Sequence, residues 1–176
     1  MKKNLLILGA GGHGRAVAET ARAMRDLEGN SVYEKIDFLD DLKPGAVGKL
    51  NDLPVFKKEY QDAFPAVGAY QKRMELYSRA KRFGFTVPVL VHPTAYVSPS
   101  AEIGEGTVIL PKVVVHTGAV IGRGCILSIG SLVDHDCVLE DGVHLDCGAV
   151  MKGSRVTEGE RVPCGMVIEN QKRNEQ

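Results

Sequence analysis

The sequence predicts an α/β N-terminal domain with a small parallel sheet, followed by a short parallel β-helix. Three observations carry this reading: a strand, glycine loop and helix at the start of the chain, further strand and helix patterns up to residue 91, and a strict six-residue repeat over residues 95–154.

Leu5 to Leu8 is a short apolar run with the look of a buried strand, followed by Gly9-Ala10-Gly11-Gly12-His13-Gly14. A helix follows over about residues 15–25, with Ala16, Val17, Ala21 and Met24 as its apolar stripe. Ile36 to Leu39 reads as a second strand ending in Asp40-Asp41, and Ala66-Val67 as a third ending in Gly68. A charged helix is expected from Gln71 to Arg82, and Val87 to Val91 as the last strand of this domain. Pro44, Gly45, Gly48 and Pro54 mark loops between these elements.

Steps of six from Val97 reach Ile103, Ile109, Val115, Ile121, Leu127, Val133, Leu139, Leu145 and Met151, all aliphatic or Met. Two residues before each stands a small or β-branched residue, from Ala95 to Ala149. Alternating small and large inward side chains suit a narrow coil built from short strands, because successive strand residues point to opposite faces. Three hexapeptides make one turn, so residues 95–154 supply a little over three coils. The repeat is expected to end there, since Arg155 takes a small inward position and Thr157 an aliphatic one. The predicted division is 1–91 for the α/β domain, 92–164 for the β-helix and 165–176 for a polar tail.

With 22 Lys and Arg against 22 Asp and Glu, no net charge draws the chain to nucleic acid or an anionic membrane. No apolar run reaches membrane-spanning length, so the expected location is the cytoplasm, with small molecules as partners. The four cysteines at 125, 137, 147 and 164 lack any CxxC pair, which argues against zinc and against a thioredoxin-type motif, and no metal is expected. Cys125 and Cys137 fall on inward small positions of the repeat.

Gly9, Gly11 and Gly14 match GxGxxG between a strand and a helix, a place where backbone amides and the helix N-terminus can hold a phosphate group. A dinucleotide is disfavoured, because the acidic residue expected some twenty positions on is absent and Asp40 comes too late. A purely structural tight turn is the alternative.

Leu8-Gly9-Ala10-Gly11-Gly12-His13-Gly14, Phe38-Leu39-Asp40-Asp41, Ala66-Val67-Gly68, Leu90-Val91-His92-Pro93 and Val133-Asp134-His135-Asp136-Cys137 occur in the order seen in bacterial sugar acyltransferases of the hexapeptide-repeat superfamily. The chain resembles the group containing sialic acid O-acetyltransferases and UDP-4-amino-sugar N-acetyltransferases. The resemblance implies a left-handed β-helix, a homotrimer, acetyl-CoA as acyl donor and a nucleotide-linked sugar as acceptor. It also implies that Gly11, Gly12, His13, Gly14, Asp40, Gly68 and Arg73 lie near the sugar nucleotide.

An amine or hydroxyl attacking a thioester must lose a proton, and histidine is suited to take it near neutral pH. His135, between Asp134 and Asp136, is the candidate base; a solvated histidine on the prism surface is the other reading. In the resembled family a Glu follows this histidine, whereas Asp136 is one methylene shorter. His116, eighteen residues before Asp134, should stack one coil below it. By resemblance His144 contacts the acetyl group or pantetheine arm, a surface residue being the other reading; Gly148 and Gly153, on the next edge, leave room for backbone amides to approach the thioester carbonyl. Lys152, Arg155 or Arg161 would meet the phosphates of coenzyme A. A non-catalytic trimeric scaffold of the same fold, and an NAD(P)-dependent oxidoreductase resting on the glycine loop alone, are the competing readings.

Overall fold

A computed structural model describes residues 3–169 of the chain. Strand β1 (Lys3–Leu8) lies between β2 (Tyr33–Leu39) and β3 (Asp62–Pro65), all parallel. Side-chain alternation sends Leu5 and Ile7 to one face of β1 and Leu6 and Leu8 to the other, and all four are fully buried. Both faces are therefore covered, which is why β1 reads as a continuous apolar run rather than an alternating one. Helix α1 (Gly12–Ala23) covers the first face with Val17, Ala18 and Ala21. Helix α2 (Tyr70–Arg82) covers the second with Leu76 and Ala80, joined by Leu53 from a 3-10 segment, Leu50–Lys58.

That 3-10 segment lies where Pro54 suggested only a loop. Asp52 starts it by accepting the Lys49 N–H at 2.8 Å. The third strand also ends sooner than expected: Ala66 and Val67 belong to the connection after Pro65, although the Ala66 N–H still donates to the Leu8 carbonyl at 2.9 Å.

From Leu90 onward the chain winds a three-sided prism of parallel rungs. The first face stacks Leu90–Val91, Val108–Ile109, Ile126–Leu127, His144–Leu145 and Arg161–Val162. The second stacks Tyr96–Val97, Val114–Val115, Leu132–Val133, Val150–Lys152 and Val167–Glu169. The third stacks Glu102–Ile103, Val120–Ile121, Val138–Leu139 and Arg155–Val156. The predicted inward positions, from Val113 and Val115 to Ala149 and Met151, form one buried core.

Two boundaries differ from the sequence reading. Leu90–Val91 pairs with Val108–Ile109 and not with the N-terminal sheet, so it is the first rung of the prism. Two apolar residues in extended conformation carry no period, and either sheet accepts them. At the other end the repeat does not stop at residue 154. Leu139 pairs with Val156, Leu145 with Val162 and Met151 with Ile168. The corner between Met151 and Arg155 is one residue shorter than the corner between Val133 and Val138 directly beneath it. That slip turns Arg155 outward and brings Val156 and Val162 into the core at 1% exposure. The expected tail thus contributes a rung through Glu169; its remainder, 170–176, lies outside the described residues.

The two parts are joined along the first face. The outward residues Leu90, Val108 and Ile126 are buried in one cluster with Leu5, Ile7, Val17, Ala18 and Ala21. Helix α1 is thereby clamped between its own sheet and the prism.

Candidate active site

The glycine loop serves two purposes. Gly9 has φ +115, and a Cβ there would lie 2.9 Å from the Ala66 carbonyl oxygen. A Cβ on Gly14 would lie 2.0 Å from the Gly9 carbonyl oxygen, so Gly14 permits close packing of α1 on the loop and faces inward, not toward a ligand. A Cβ on Gly11, Gly12 or Gly68 would meet nothing within 4 Å, so these three border open space. Helix α1 has no side-chain cap, and its first amides are directed at that space with the positive end of the helix dipole.

Asp40 and Arg73, expected to contact substrate, are engaged with the protein itself. The Asp40 carboxylate accepts N–H groups from Ala10 at 2.8 Å and from Leu42 and Lys43 at 2.9 Å, which tie the glycine loop to the turn after β2. These bonds, led by that of Ala10, hold its carboxyl below the ordinary carboxylate range. Arg73 is 1% exposed. Its Nε donates to the Gly124 carbonyl at 2.8 Å and its Nη2 to Gly142 at 2.6 Å, both in the prism. Its Nη1 donates to Val67 at 3.1 Å and Gly68 at 2.7 Å, in the connection after β3. Arg73 is a staple between the two parts of the chain, a use that its position in a charged helix does not disclose.

The same junction brings His13 beside His144. Burial lowers the His13 pKa to about 4, with the charges of His144 and Arg73 adding to the effect, so its ring is neutral at physiological pH. Its Nε2 is buried and has no hydrogen-bond partner among the described residues. His144 is half-buried, its Nε2 3.1 Å from Ser128 Oγ and 3.2 Å from Asp146 Oδ1. Burial lowers the His144 pKa too, against the pull of Asp146. Asp146 is held by Arg161, whose Nε and Nη2 donate at 2.8 and 3.1 Å. Asp146 and Ser128 were not singled out from the sequence; the spacing of two between His144 and Asp146 on one strand end was the available signal.

His135 stands elsewhere, on the corner between the second and third faces. Its Nδ1 lies 2.9 Å from Asp136 Oδ2, so the shorter carboxylate does make the contact. Asp136 reaches it from a left-handed backbone conformation, φ 57. The bond to Asp136, then the charges of Asp134 and Asp136, raise the His135 pKa. His116 stacks below as expected, its Nδ1 3.6 Å from Asp134 Oδ1. Gly153, with φ 50 like Asp136 at 57, lies in the shortened corner one rung above the corner that carries His135 and Asp136. Beside this corner the second face carries an open depression of about 320 Å³ lined by Val114, His116, Leu132, Asp134, Val150 and Lys152.

The three cations expected at coenzyme A phosphates each face a carboxylate of this chain: Lys152 bonds Glu169 at 2.6 Å, Arg155 bonds Glu140, and Arg161 bonds Asp146. Gly148 is exposed on the corner between the first and second faces. Among the described residues, no group of three or more His, Cys, Asp or Glu is placed to hold a metal ion. No helix of the described residues is long and apolar enough to cross a membrane. The His13 and His144 junction on the first face and the His135 corner opposite it thus lie on different edges of the prism.

A small parallel α/β domain clamped to a hexapeptide prism is an acyltransferase architecture. Residues 4–80 match the PglD N-terminal domain. The acetyltransferase domain of PglB from Neisseria gonorrhoeae FA1090 is 36% identical, aligned over 94% of this chain and 85% of that one, with a TM-score of 0.76; its complex with acetyl coenzyme A superposes with a TM-score of 0.72. A variant of GDP-perosamine N-acetyltransferase from Caulobacter crescentus, in complex with CoA and GDP-perosamine, is 28% identical over 93% of this chain and 90% of that one, with a TM-score of 0.71. UDP-N-acetylbacillosamine N-acetyltransferase from Bacillus subtilis (strain 168) is 34% identical over 111 residues, and the match spans 61% of this chain and only 51% of that enzyme's length. The chain belongs to the left-handed β-helix sugar acyltransferases.

Proposed function

We propose that the protein transfers an acetyl group from acetyl-CoA to the amino group of a nucleotide-linked amino sugar. The observation that carries this is the His135 corner. Asp136 holds Nδ1, which leaves Nε2 as the nitrogen to accept a proton, on an exposed corner with Gly153 in the shortened corner of the next rung. The amine nitrogen attacks the thioester carbonyl carbon, His135 Nε2 takes the amine proton, the tetrahedral intermediate collapses with cleavage of the C–S bond, and the leaving thiolate takes that proton back. Backbone amides near Gly153 stabilise the oxyanion.

The sugar nucleotide fits the open space beside Gly11, Gly12 and Gly68, where the uncapped amides of α1 favour a phosphate. Neutral His13 follows Gly12 in the same loop and belongs to the acceptor side. His144 and Gly148 belong to the donor side. Relatives solved with acetyl coenzyme A and with CoA plus GDP-perosamine support this pairing of ligands.

The active form is a homotrimer. Tyr96, Val114, Leu132, Val150 and Val167 form one outward apolar column on the second face, with Tyr96 53%, Leu132 40% and Val167 61% exposed. A column of this kind is stabilised by burial against another copy. Packing of the prisms side by side then brings the His135 corner of one chain to the His13 and His144 junction of the next, completing a site that one chain divides.

The test is release of free thiol from acetyl-CoA with UDP- and GDP-linked 4-amino sugars as acceptors, alongside mass measurement in solution. Turnover with at least one amino acceptor, by a trimer, is the expected result. Turnover only with hydroxyl acceptors would reject the amine assignment, and a fully active monomer would reject the shared site.

A further inference from the structure

The four cysteines fall into two pairs with opposite environments. Cys125 and Cys137 are fully buried inside the prism. Cys147 and Cys164 are exposed and free, and neither has a part in acetyl transfer as proposed above.

Cys147 and Cys164 occupy the same position in successive rungs. Leu145 pairs with Val162, and two residues on in each strand the chain reaches Cys147 and Cys164. The turns that carry them are equivalent. The Ala149 N–H donates to the Asp146 carbonyl at 3.1 Å, and the Met166 N–H to the Pro163 carbonyl at 3.1 Å. In each four-residue turn the cysteine comes second and a glycine with positive φ third, Gly148 at 68 and Gly165 at 67. The side chains of the two cysteines therefore leave the corner in parallel. The Gly165 N–H donates to the Cys147 carbonyl at 3.0 Å, which holds one turn directly on the other.

Neighbouring strands stack about 4.8 Å apart, and a disulfide spans Cα atoms roughly 4.4–6.8 Å apart. The small approach that closure needs is available, because among the described residues no rung stacks above Arg161–Val162 to resist it.

From this geometry we infer that Cys147 and Cys164 form a reversible dithiol site for low-molecular-weight disulfides. One thiolate attacks the disulfide RSSR, forming a protein–S–S–R bond and releasing RS⁻. The second thiolate then attacks the protein sulfur, closing the Cys147–Cys164 bond and releasing the second RS⁻. Both cysteines are oxidised and one RSSR is reduced to two thiols. The bond fastens the last rung to the one beneath it, on the corner that carries Gly148.

The experiment treats the full-length protein with oxidised glutathione and maps thiols by alkylation and peptide mass spectrometry, with hydrogen exchange over residues 160–169 before and after. Two alkylatable thiols are expected in the native reduced protein and none after oxidation. A linked Cys147–Cys164 peptide carrying no glutathione, reversed by dithiothreitol, and slower exchange in the last rung complete the expected result. Cys164→Ser should instead keep glutathione on Cys147, and its exposed site makes loss of fold no confounder. Stable glutathione on both cysteines of the native protein, or disulfides only between chains, would overturn the inference.

Discussion

Replacing Arg73 with Met tests whether a buried guanidinium bound to backbone carbonyls holds the two parts of the chain together. The side chain is 1% exposed and donates four hydrogen bonds, to Gly124 and Gly142 in the prism and to Val67 and Gly68 beyond β3. Met fills a similar volume but leaves all four carbonyls without that donor. Hydrogen bonds to a charged group contribute roughly 1.5–3 kcal/mol each, so the gross loss is about 6–12 kcal/mol. Removing an ion from a buried site offsets several kcal/mol of that, leaving a net loss of about 3–5 kcal/mol. The total stability of a domain is roughly 5–15 kcal/mol, so the effect is a large share of it. The assay is urea unfolding followed by circular dichroism, because the chain has no tryptophan. Arg73→Lys keeps the charge but cannot reproduce the fork, and should recover little. A loss below about 1 kcal/mol in the Met variant, or full recovery in the Lys variant, would refute the staple. A raised KM for the sugar nucleotide with unchanged stability would restore Arg73 to the substrate site.

His135→Ala should lower turnover by about a hundredfold or more with the trimer intact. Because Asp136 raises the His135 pKa and the base must be unprotonated, activity should rise with pH through that pKa, and Asp136→Asn should move this acid limb to lower pH; an unmoved limb in the kcat/KM profile would assign the titration to another group. His13 binds a proton at about pH 4 when folded and at 6.5 when unfolded, so it favours folding above pH 6.5 and loses that contribution as pH falls toward 4. The loss amounts to about 3 kcal/mol, and His13→Phe should flatten the pH dependence of thermal unfolding across this window. Gly14→Ala places a Cβ 2.0 Å from a carbonyl oxygen and should destabilise by about 1–3 kcal/mol. Gly12→Val, with open space at that position, should leave stability nearly unchanged and weaken only sugar-nucleotide binding, as calorimetry with each ligand would show.

The prism was legible in the sequence because its core repeats the same small and large inward positions on every rung, so the packing constraint is written six residues apart. The strand, glycine loop and helix at the start were legible for a similar local reason. At Gly9 and Gly14 the turn leaves no room for a side chain, a restriction set by neighbouring backbone. What the sequence could not decide depends on contacts between segments distant along the chain. The one-residue slip at the corner after Met151 breaks the count of six while preserving the stacking, and only the pairing of Leu139 with Val156 reveals that the coil continues. Leu90–Val91 belongs to the prism through its partner strand, not through its own pattern. Asp40 and Arg73 matched the motif positions of a binding site, yet their polar atoms are spent on backbone groups brought near by folding. The reverse holds for His13 and His144, which the sequence assigns to separate ligands with nothing to link them. Packing of α1 on the first prism face sets them side by side and, by burying them, lowers the pKa of both rings. Residue type and period are local properties of the chain, whereas burial and hydrogen-bond satisfaction belong to the assembled fold, and it was these that settled which polar residues hold the protein together.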